Sequence, residues 1–167
     1  MILKTERLVL RPQQAGDAPA LFAILGDPEA MRFWSRPPAA HPAAVEALVA
    51  EQQAAMADGL CRYWTIREGN DVIGSIDLSL IRDGSAELGF VLRRDRWGLG
   101  LGCESAGAVI ALAFGPLGLN RLAAAVQTQN RAAARVLAKN GFALLQSRVV
   151  KLPSGKKRDC GFYLLHR

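Results

Sequence analysis

The sequence predicts an α/β (α+β) chain in which one mixed, mostly antiparallel sheet is flanked by helices. Three observations carry that class. Three strand-like runs, Arg62–Arg67, Val72–Leu80 and Ala86–Leu92, follow one another with only turn chemistry between them. The turns are Glu68-Gly69-Asn70-Asp71 and Arg82-Asp83-Gly84-Ser85, so the runs read as an antiparallel meander. Alanine- and leucine-rich segments of helical character stand on both sides of the meander. Leu122–Val126 is short and wholly apolar, the pattern of a strand buried in a parallel position.

In chain order, Leu8–Arg11 reads as a first strand ended by Pro12. Asp17 is placed to cap a helix running to Leu25, where Gly26-Asp27-Pro28 stops it. Met31–Pro38 is irregular and carries Phe33 and Trp34. His41-Pro42 opens a second helix to Asp58, because proline suits a first turn, and Gly59 ends it. After the meander a helix is expected over Cys103–Phe114, broken at Gly115-Pro116. The Leu122–Val126 strand and an Ala132–Lys139 helix follow, with Gly141 as the C-terminal cap. Phe142–Val150 and Cys160–Leu165 form a closing hairpin with Pro153-Ser154-Gly155-Lys156 at its tip. The order is βααβββαβαββ. No linker, repeat or low-complexity segment interrupts it, so residues 1–167 are expected to form one domain.

Half of the residues are hydrophobic, enough for a real core. No apolar run approaches the roughly 20 residues of a membrane span. Met1-Ile2-Leu3-Lys4 runs straight into the first strand pattern, so no secretory leader is expected. The three cysteines, Cys61, Cys103 and Cys160, are widely spaced and never Cys-x-x-Cys, which points to a reducing cytoplasm and to no bound metal. The net charge of +6 is spread along the chain except for two clusters, Arg93/Arg94/Arg96 and Lys156/Lys157/Arg158. No nucleic-acid motif accompanies them, so the charge is read as steering an anionic cofactor or an acidic partner.

The segment Arg93 to Glu104 is the most informative. It joins an apolar strand to a helix through a basic loop with glycines at 98, 100 and 102. Glycines allow close backbone approach and positive φ, and the N–H groups at a helix start attract an anion. A phosphorylated ligand is therefore expected here. A dinucleotide fingerprint fails on spacing, because its third glycine would fall on Cys103 or Ser105, and Asn120 stands where an acid is needed. A P-loop fails because no Gly-Lys-Ser/Thr follows.

Trp97-x-x-Gly100-x-Gly102 resembles the Gln/Arg-x-x-Gly-x-Gly/Ala segment with which the GNAT acetyltransferases grip the pyrophosphate of acetyl-coenzyme A. Thr5-Glu6-Arg7-Leu8-Val9-Leu10-Arg11-Pro12 looks like the opening strand of the RimJ/RimL branch. Asn130 to Phe142 resembles that family's Asn-x-x-Ser-x-x-x-x-x-x-x-Gly-Phe segment. The resemblance covers nearly the whole chain and implies a sheet splayed between Ala86–Leu92 and Leu122–Val126, with acetyl-coenzyme A as cosubstrate in the splay. By position, Phe90, Val91 and Leu92 would meet the pantetheine arm through backbone groups. Gly98, Leu99, Gly100, Leu101 and Gly102 would hold the pyrophosphate through N–H groups. Trp97 occupies the position of the family's polar side chain, and Arg93, Arg94 and Arg96 stand close enough to add charge. Asn130 matches the asparagine that bonds the pantetheine, and it also suits a helix cap.

Acetyl transfer needs a neutral amine, so a carboxylate is the natural base. Glu87, in Ala86-Glu87-Leu88-Gly89-Phe90, matches the family's acidic-apolar-Gly-aromatic pattern. The hydroxyl that relatives carry three residues after the asparagine is Ala133 here; Tyr163 or water would then protonate the leaving thiolate. The resemblance implies a cytoplasmic N-acetyltransferase acting on a protein N-terminus or a small-molecule amine, with no membrane partner. Phe33 and Trp34 fall where this branch builds its acceptor pocket and suit equally a cover for the core; their exposed-looking loop and the two apolar helices suggest a homodimer. The competing readings are an acyl-coenzyme A-binding protein with little catalysis and a basic RNA-associated factor.

Overall fold

The chain runs β1 (Leu3–Lys4), β2 (Val9–Pro12), α1 (Ala18–Leu25), α2 (Pro42–Ala57), β3 (Arg62–Glu68), β4 (Asp71–Arg82), β5 (Ser85–Leu92), α3 (Leu101–Phe114), β6 (Arg121–Gln127), α4 (Arg131–Lys139), β7 (Ala143–Lys151) and β8 (Lys157–His166). This is the expected order with one short strand added at the start. The computed structural model describes residues 1–152 and 154–167. Of the expected hairpin tip, Pro153 lies outside the described residues, and Gly155 takes a φ of +80°.

All eight strands form one sheet in the order β1-β2-β3-β4-β5-β6-β8-β7. Strands β1 to β5 are antiparallel neighbours. Strands β5 and β6 are parallel and pair only over Ser85–Arg121, Ala86–Leu122 and Glu87–Ala123. Beyond that point they part. Strand β5 stays with β4 as far as Leu92–Gly74, while β6 stays with β8 as far as Gln127–Cys160.

Alternation along the strands sorts side chains to two cores. Ile76, Leu78, Leu88 and Leu122 pack with Leu101, Val109 and Leu112 of α3 and Leu137 of α4. On the opposite face Leu21, Ile24, Val45 and Val49, from α1 and α2, pack with Val72 and Val91. Pro12 belongs to β2, opposite Trp64. Strand β1 reaches only Leu10 and Val9, so no ladder bond on that side asks for the missing proline N–H.

Two sequence expectations are corrected here. Asp17 does not cap α1 with its side chain. Its backbone is already helical at the end of a 3-10 turn, and its buried carboxylate accepts instead from Gln14 N–H (2.8 Å) and pairs with Arg11. Helix α3 begins at Leu101, two residues early, because Gly100 at φ +80° makes the left-handed turn that starts it.

The start of α3 is tied to the first strands. Glu104 accepts from Thr5 Oγ1, from Arg7 N–H at 2.9 Å and from Arg7 Nε at 2.7 Å, while Arg7 Nη1 donates to Leu99 O at 2.9 Å. One arginine thus locks the helix to the glycine loop. Burial works to raise the Glu104 carboxyl, but the hydrogen bonds from Thr5 and Arg7 and the Arg7 charge outweigh it and hold it below its ordinary value. A depressed folded-state value stabilises the fold above the ordinary carboxylate range and loses that contribution as pH falls through the folded value. Glu104→Gln is expected to lower stability at pH 7 by about 1–3 kcal/mol, the range for hydrogen bonds to a charged group. Thermal unfolding should show the gap closing below about pH 4; a gap of the same size in acid would mean the charge is irrelevant.

Candidate active site

Two cavities meet where β5 leaves β6. One, of about 480 Å³, lies between the sheet and α1–α2. The other, of about 420 Å³, lies between the glycine loop and α4. Phe33, Trp34, Phe90, Val91 and Ala133 line both, so this shared wall joins them. Gln127 Nε2, at the end of β6, donates to Phe33 O at 2.8 Å and fixes the aromatic loop over the junction. Phe33 and Trp34, expected at the acceptor pocket or covering the core, are partly buried and line both cavities.

The second cavity is an anion cradle. The first N–H of α3 to find a partner in the chain is that of Glu104, which donates to Gly100 O at 3.1 Å. The N–H groups of Leu101, Gly102 and Cys103 have no partner among the described residues, and all three residues line the cavity. Gly102 packs so closely that an added Cβ would lie 3.3 Å from Leu92 Cδ1. These features fit a pyrophosphate held by backbone. Gly98 and Gly100 also line the cavity, whereas Leu99 does not and turns its carbonyl to Arg7. Trp97 forms a wall, and its Nε1 donates to Leu92 O at 2.9 Å, satisfying the last carbonyl of β5.

The arginines of the loop are held by acids rather than free to meet a phosphate. Arg93 pairs with Asp95 (2.7 Å), Arg96 with Glu68 (2.9 Å) and Arg94 with Asp27 (3.4 Å). The positive charge available to this cavity comes from α4, where Arg135 and Lys139 line it without an acidic partner among the described residues. Their spacing of four residues was the available sequence signal.

The first cavity has the opposite character. Gln13, Tyr63, Asp77 and Gly89 stand in register across four neighbouring strand positions and all line it. Gly89 leaves room for the acid: a Cβ there would lie 2.7 Å from Asp77 Oδ1. Asp77 has no ion-pair partner among the described residues, and Gln13 Oε1 is buried with no donor. Burial pushes the Asp77 carboxyl up to about 7, with the charge of Glu87 adding and a hydrogen bond from Ser79 opposing. Burial and then the nearby Asp77 push the Tyr63 phenol up to about 12. Asp77 was not singled out from the sequence, because Ser75-Ile76-Asp77-Leu78-Ser79 reads as an ordinary strand with a wet polar face.

Of the other expected residues, Glu87 lines the first cavity opposite Ser79, and Phe90, Val91 and Leu92 line the second. Asn130 lines the second cavity, and its Oδ1 accepts from Ala133 N–H at 3.1 Å, so it caps α4. Tyr163 is not brought to the junction. It stands opposite Ala124 and Leu144, packs against the α3–α4 core and lines neither cavity. No group of three or more His, Cys, Asp or Glu able to hold a metal occurs among the described residues. No helix among them is long and apolar enough to cross a membrane.

Comparison with known proteins agrees with this geometry. The model of the acetyltransferase (GNAT) domain matches residues 7–143. The chain is 30% identical over 139 residues to the uncharacterized N-acetyltransferase p20 of Bacillus licheniformis, covering 81% of this chain and 78% of that one. Its fold matches RimL, the ribosomal L7/L12 alpha-N-protein acetyltransferase, with a TM-score of 0.90 at 19% identity over 100% of this chain and 94% of the other. It also matches a spermidine N-acetyltransferase from Vibrio cholerae in complex with CoA and spermine, with a TM-score of 0.85 at 19% identity over 97% and 96%. With a family model spanning most of its length and an anion cradle beside an acid-floored cavity, the chain belongs to the GNAT acetyltransferase family.

Proposed function

We propose that this N-acetyltransferase takes a primary amine, on a protein N-terminus or a small molecule, into the first cavity and acetylates it by direct attack in a ternary complex. Acetyl-coenzyme A is the cosubstrate and supplies the thioester acetyl group. The observation that carries the reading is the shared wall: an anion cradle and an acid-floored cavity meet at Phe90, Val91 and Ala133. A protein that only bound the cosubstrate would have no use for the acid-floored first cavity.

Residues of the cradle divide the work. N–H groups of the α3 start, with Gly98 and Gly100, suit the pyrophosphate, and Arg135 and Lys139 suit the remaining phosphate charge. Leu99 is left out of that set. Beyond Glu87 the edge of β5 has no strand partner, so Phe90, Val91 and Leu92 can bond an extended ligand there. In the acceptor chamber Gln13 Oε1 is buried without a donor, and the Asp77 carboxylate, bonded by Ser79, has no ion-pair partner among the described residues; both accept, and an ammonium brings only donors. Asp77 then holds the amine and accepts its proton, with Glu87 beside it as the second acid. Ala133 brings no hydroxyl to the junction, and Tyr163 lies elsewhere, so solvent protonates the departing sulfur. Self-association would use β7, an open edge with Leu144, Leu145 and Val149 exposed.

Coenzyme A release from acetyl-coenzyme A, measured over a panel of amines and N-terminal peptides, tests the reading; no release with any amine would end it. Acetyl-coenzyme A should also raise the melting temperature, and Gly100→Glu, which strains a left-handed residue and places a negative charge in the cradle, should abolish the shift. An unchanged shift would put the phosphates somewhere else.

For the free enzyme, kcat/KM should rise with pH along a limb centred near 7, as Asp77 loses its proton. Asp77→Asn should remove that limb and cost about 10²-fold or more, the usual scale for a general base. If the limb survives and Glu87→Gln removes it, Glu87 is the base.

Ala133→Ser would give the junction a hydroxyl. Turnover should rise about tenfold, equivalent to ~1.4 kcal/mol, with little change in cosubstrate affinity. Equal turnover would show that departure of the thiolate does not limit the rate.

A further inference from the structure

We propose that the β7–β8 hairpin is a docking arm for acidic polypeptides, and that the preferred acceptors are protein N-termini followed by acidic residues. The inference rests on the acetyltransferase reading above and names its substrate class.

Residues 148–158 contain Arg148, Lys151, Lys156, Lys157 and Arg158 and no acid, a net +5 against +6 for the whole chain. Lys151 stands directly opposite Lys157, and Arg158 is the next rung along, opposite Val150. Like charges facing across a ladder destabilise it. Arginines at 7, 11, 32, 67, 93, 94 and 96 all pair with acids. The five hairpin cations have no acidic partner among the described residues; Arg148 lies over the Phe162 ring at 4.4 Å. The Lys151–Lys157 rung therefore sets like charges face to face at a cost that no acid within residues 148–158 offsets.

Position supplies the use. Cys160 is opposite Gln127, which anchors the aromatic loop at the shared wall. Lys157 lies three residues beyond Cys160, so the arm overhangs the sheet by about 10 Å at the cavity end. No hairpin residue lines the cosubstrate cavity, whose own cations are Arg135 and Lys139. Glu87 is level with Ala123 and Leu164, and Lys157 lies seven residue steps along β8 from Leu164, about 23 Å. An extended peptide covers that distance in about seven residues. With its amine at Asp77 and Glu87, its sixth to eighth side chains reach the lysines. Positive charge there repels a polyamine and attracts a chain that turns acidic after its first residues.

Three acceptors decide the matter: a neutral tripeptide amide, and two nonapeptides sharing a neutral start but carrying Glu or Lys at positions six to eight. The wild type should favour the acidic nonapeptide by about tenfold in kcat/KM, mostly through KM, and added salt should shrink the preference. Combined Lys156→Glu, Lys157→Glu and Arg158→Glu should invert it. The corresponding Gln variant should erase it, and both variants should keep wild-type turnover of the tripeptide and its melting temperature. Equal use of the two nonapeptides by the wild type, or a preference that survives in the Glu variant, overturns the proposal. RNA that competes with the acidic nonapeptide only when the arm is intact, while the wild type ignores peptide charge, overturns it in favour of nucleic acid. Failure with all three acceptors, the tripeptide included, would remove the amine-acceptor reading itself.

Discussion

The short parallel contact between β5 and β6 is the constraint on which the rest depends. The strands share three rungs and then separate, although each keeps its other neighbour. Close packing draws the end of β5 toward β4: a Cβ on Gly74 would lie 2.4 Å from Val91 O. A longer side chain at 74 would push β5 back toward β6 and narrow the gap. The exposed edge needs partners for its backbone groups, and Trp97 provides one by donating to Leu92 O. Both chambers, the wall they share and the reach of α4 into that wall follow from this divergence.

Charge is sorted to match. Basic residues near the glycine loop are largely used internally, Arg7 to bind Glu104 and the others to brace the loop against Asp27, Glu68 and Asp95. The cradle presents backbone N–H groups and two cations of α4 unpaired among the described residues, and its other charged residues, Glu29 and Arg96, are held by Arg32 and Glu68. The acceptor chamber is lined by the acids Glu51, Asp77 and Glu87 and by one arginine, Arg36. Under the proposed function the cosubstrate and the amine meet from opposite sides of the same few apolar side chains.

The sequence made most of the secondary structure legible because its punctuation is strong. Gly26-Asp27-Pro28, Gly59, Gly115-Pro116 and Gly141 each fall at or within two residues of an observed boundary. The cradle was legible too, since its chemistry is local: three glycines, one turn and a helix start. What failed depended on distant segments. Asp77 becomes a buried acid only because α1 and α2, more than 18 residues upstream, roof the polar face of β4. Asp17 was assigned to its own helix, but Arg11 and Thr65 from two strands converge on its carboxylate. Tyr163 carried a suitable hydroxyl, yet strand register turned it to the α3–α4 core, one face away from the reaction.

Gly89 has a consequence for how this site can vary over time. A glycine inside a strand weakens it, by about 0.5–1 kcal/mol relative to alanine. Here it leaves the volume that the Asp77 carboxylate occupies. A side chain at 89 would meet the Asp77 carboxylate, so the acid would have to turn aside or be lost. Related sequences should fall into two groups, acid with glycine and neutral with bulk. Under the proposed function, the pair would separate relatives that keep an acid facing the amine from those that do not.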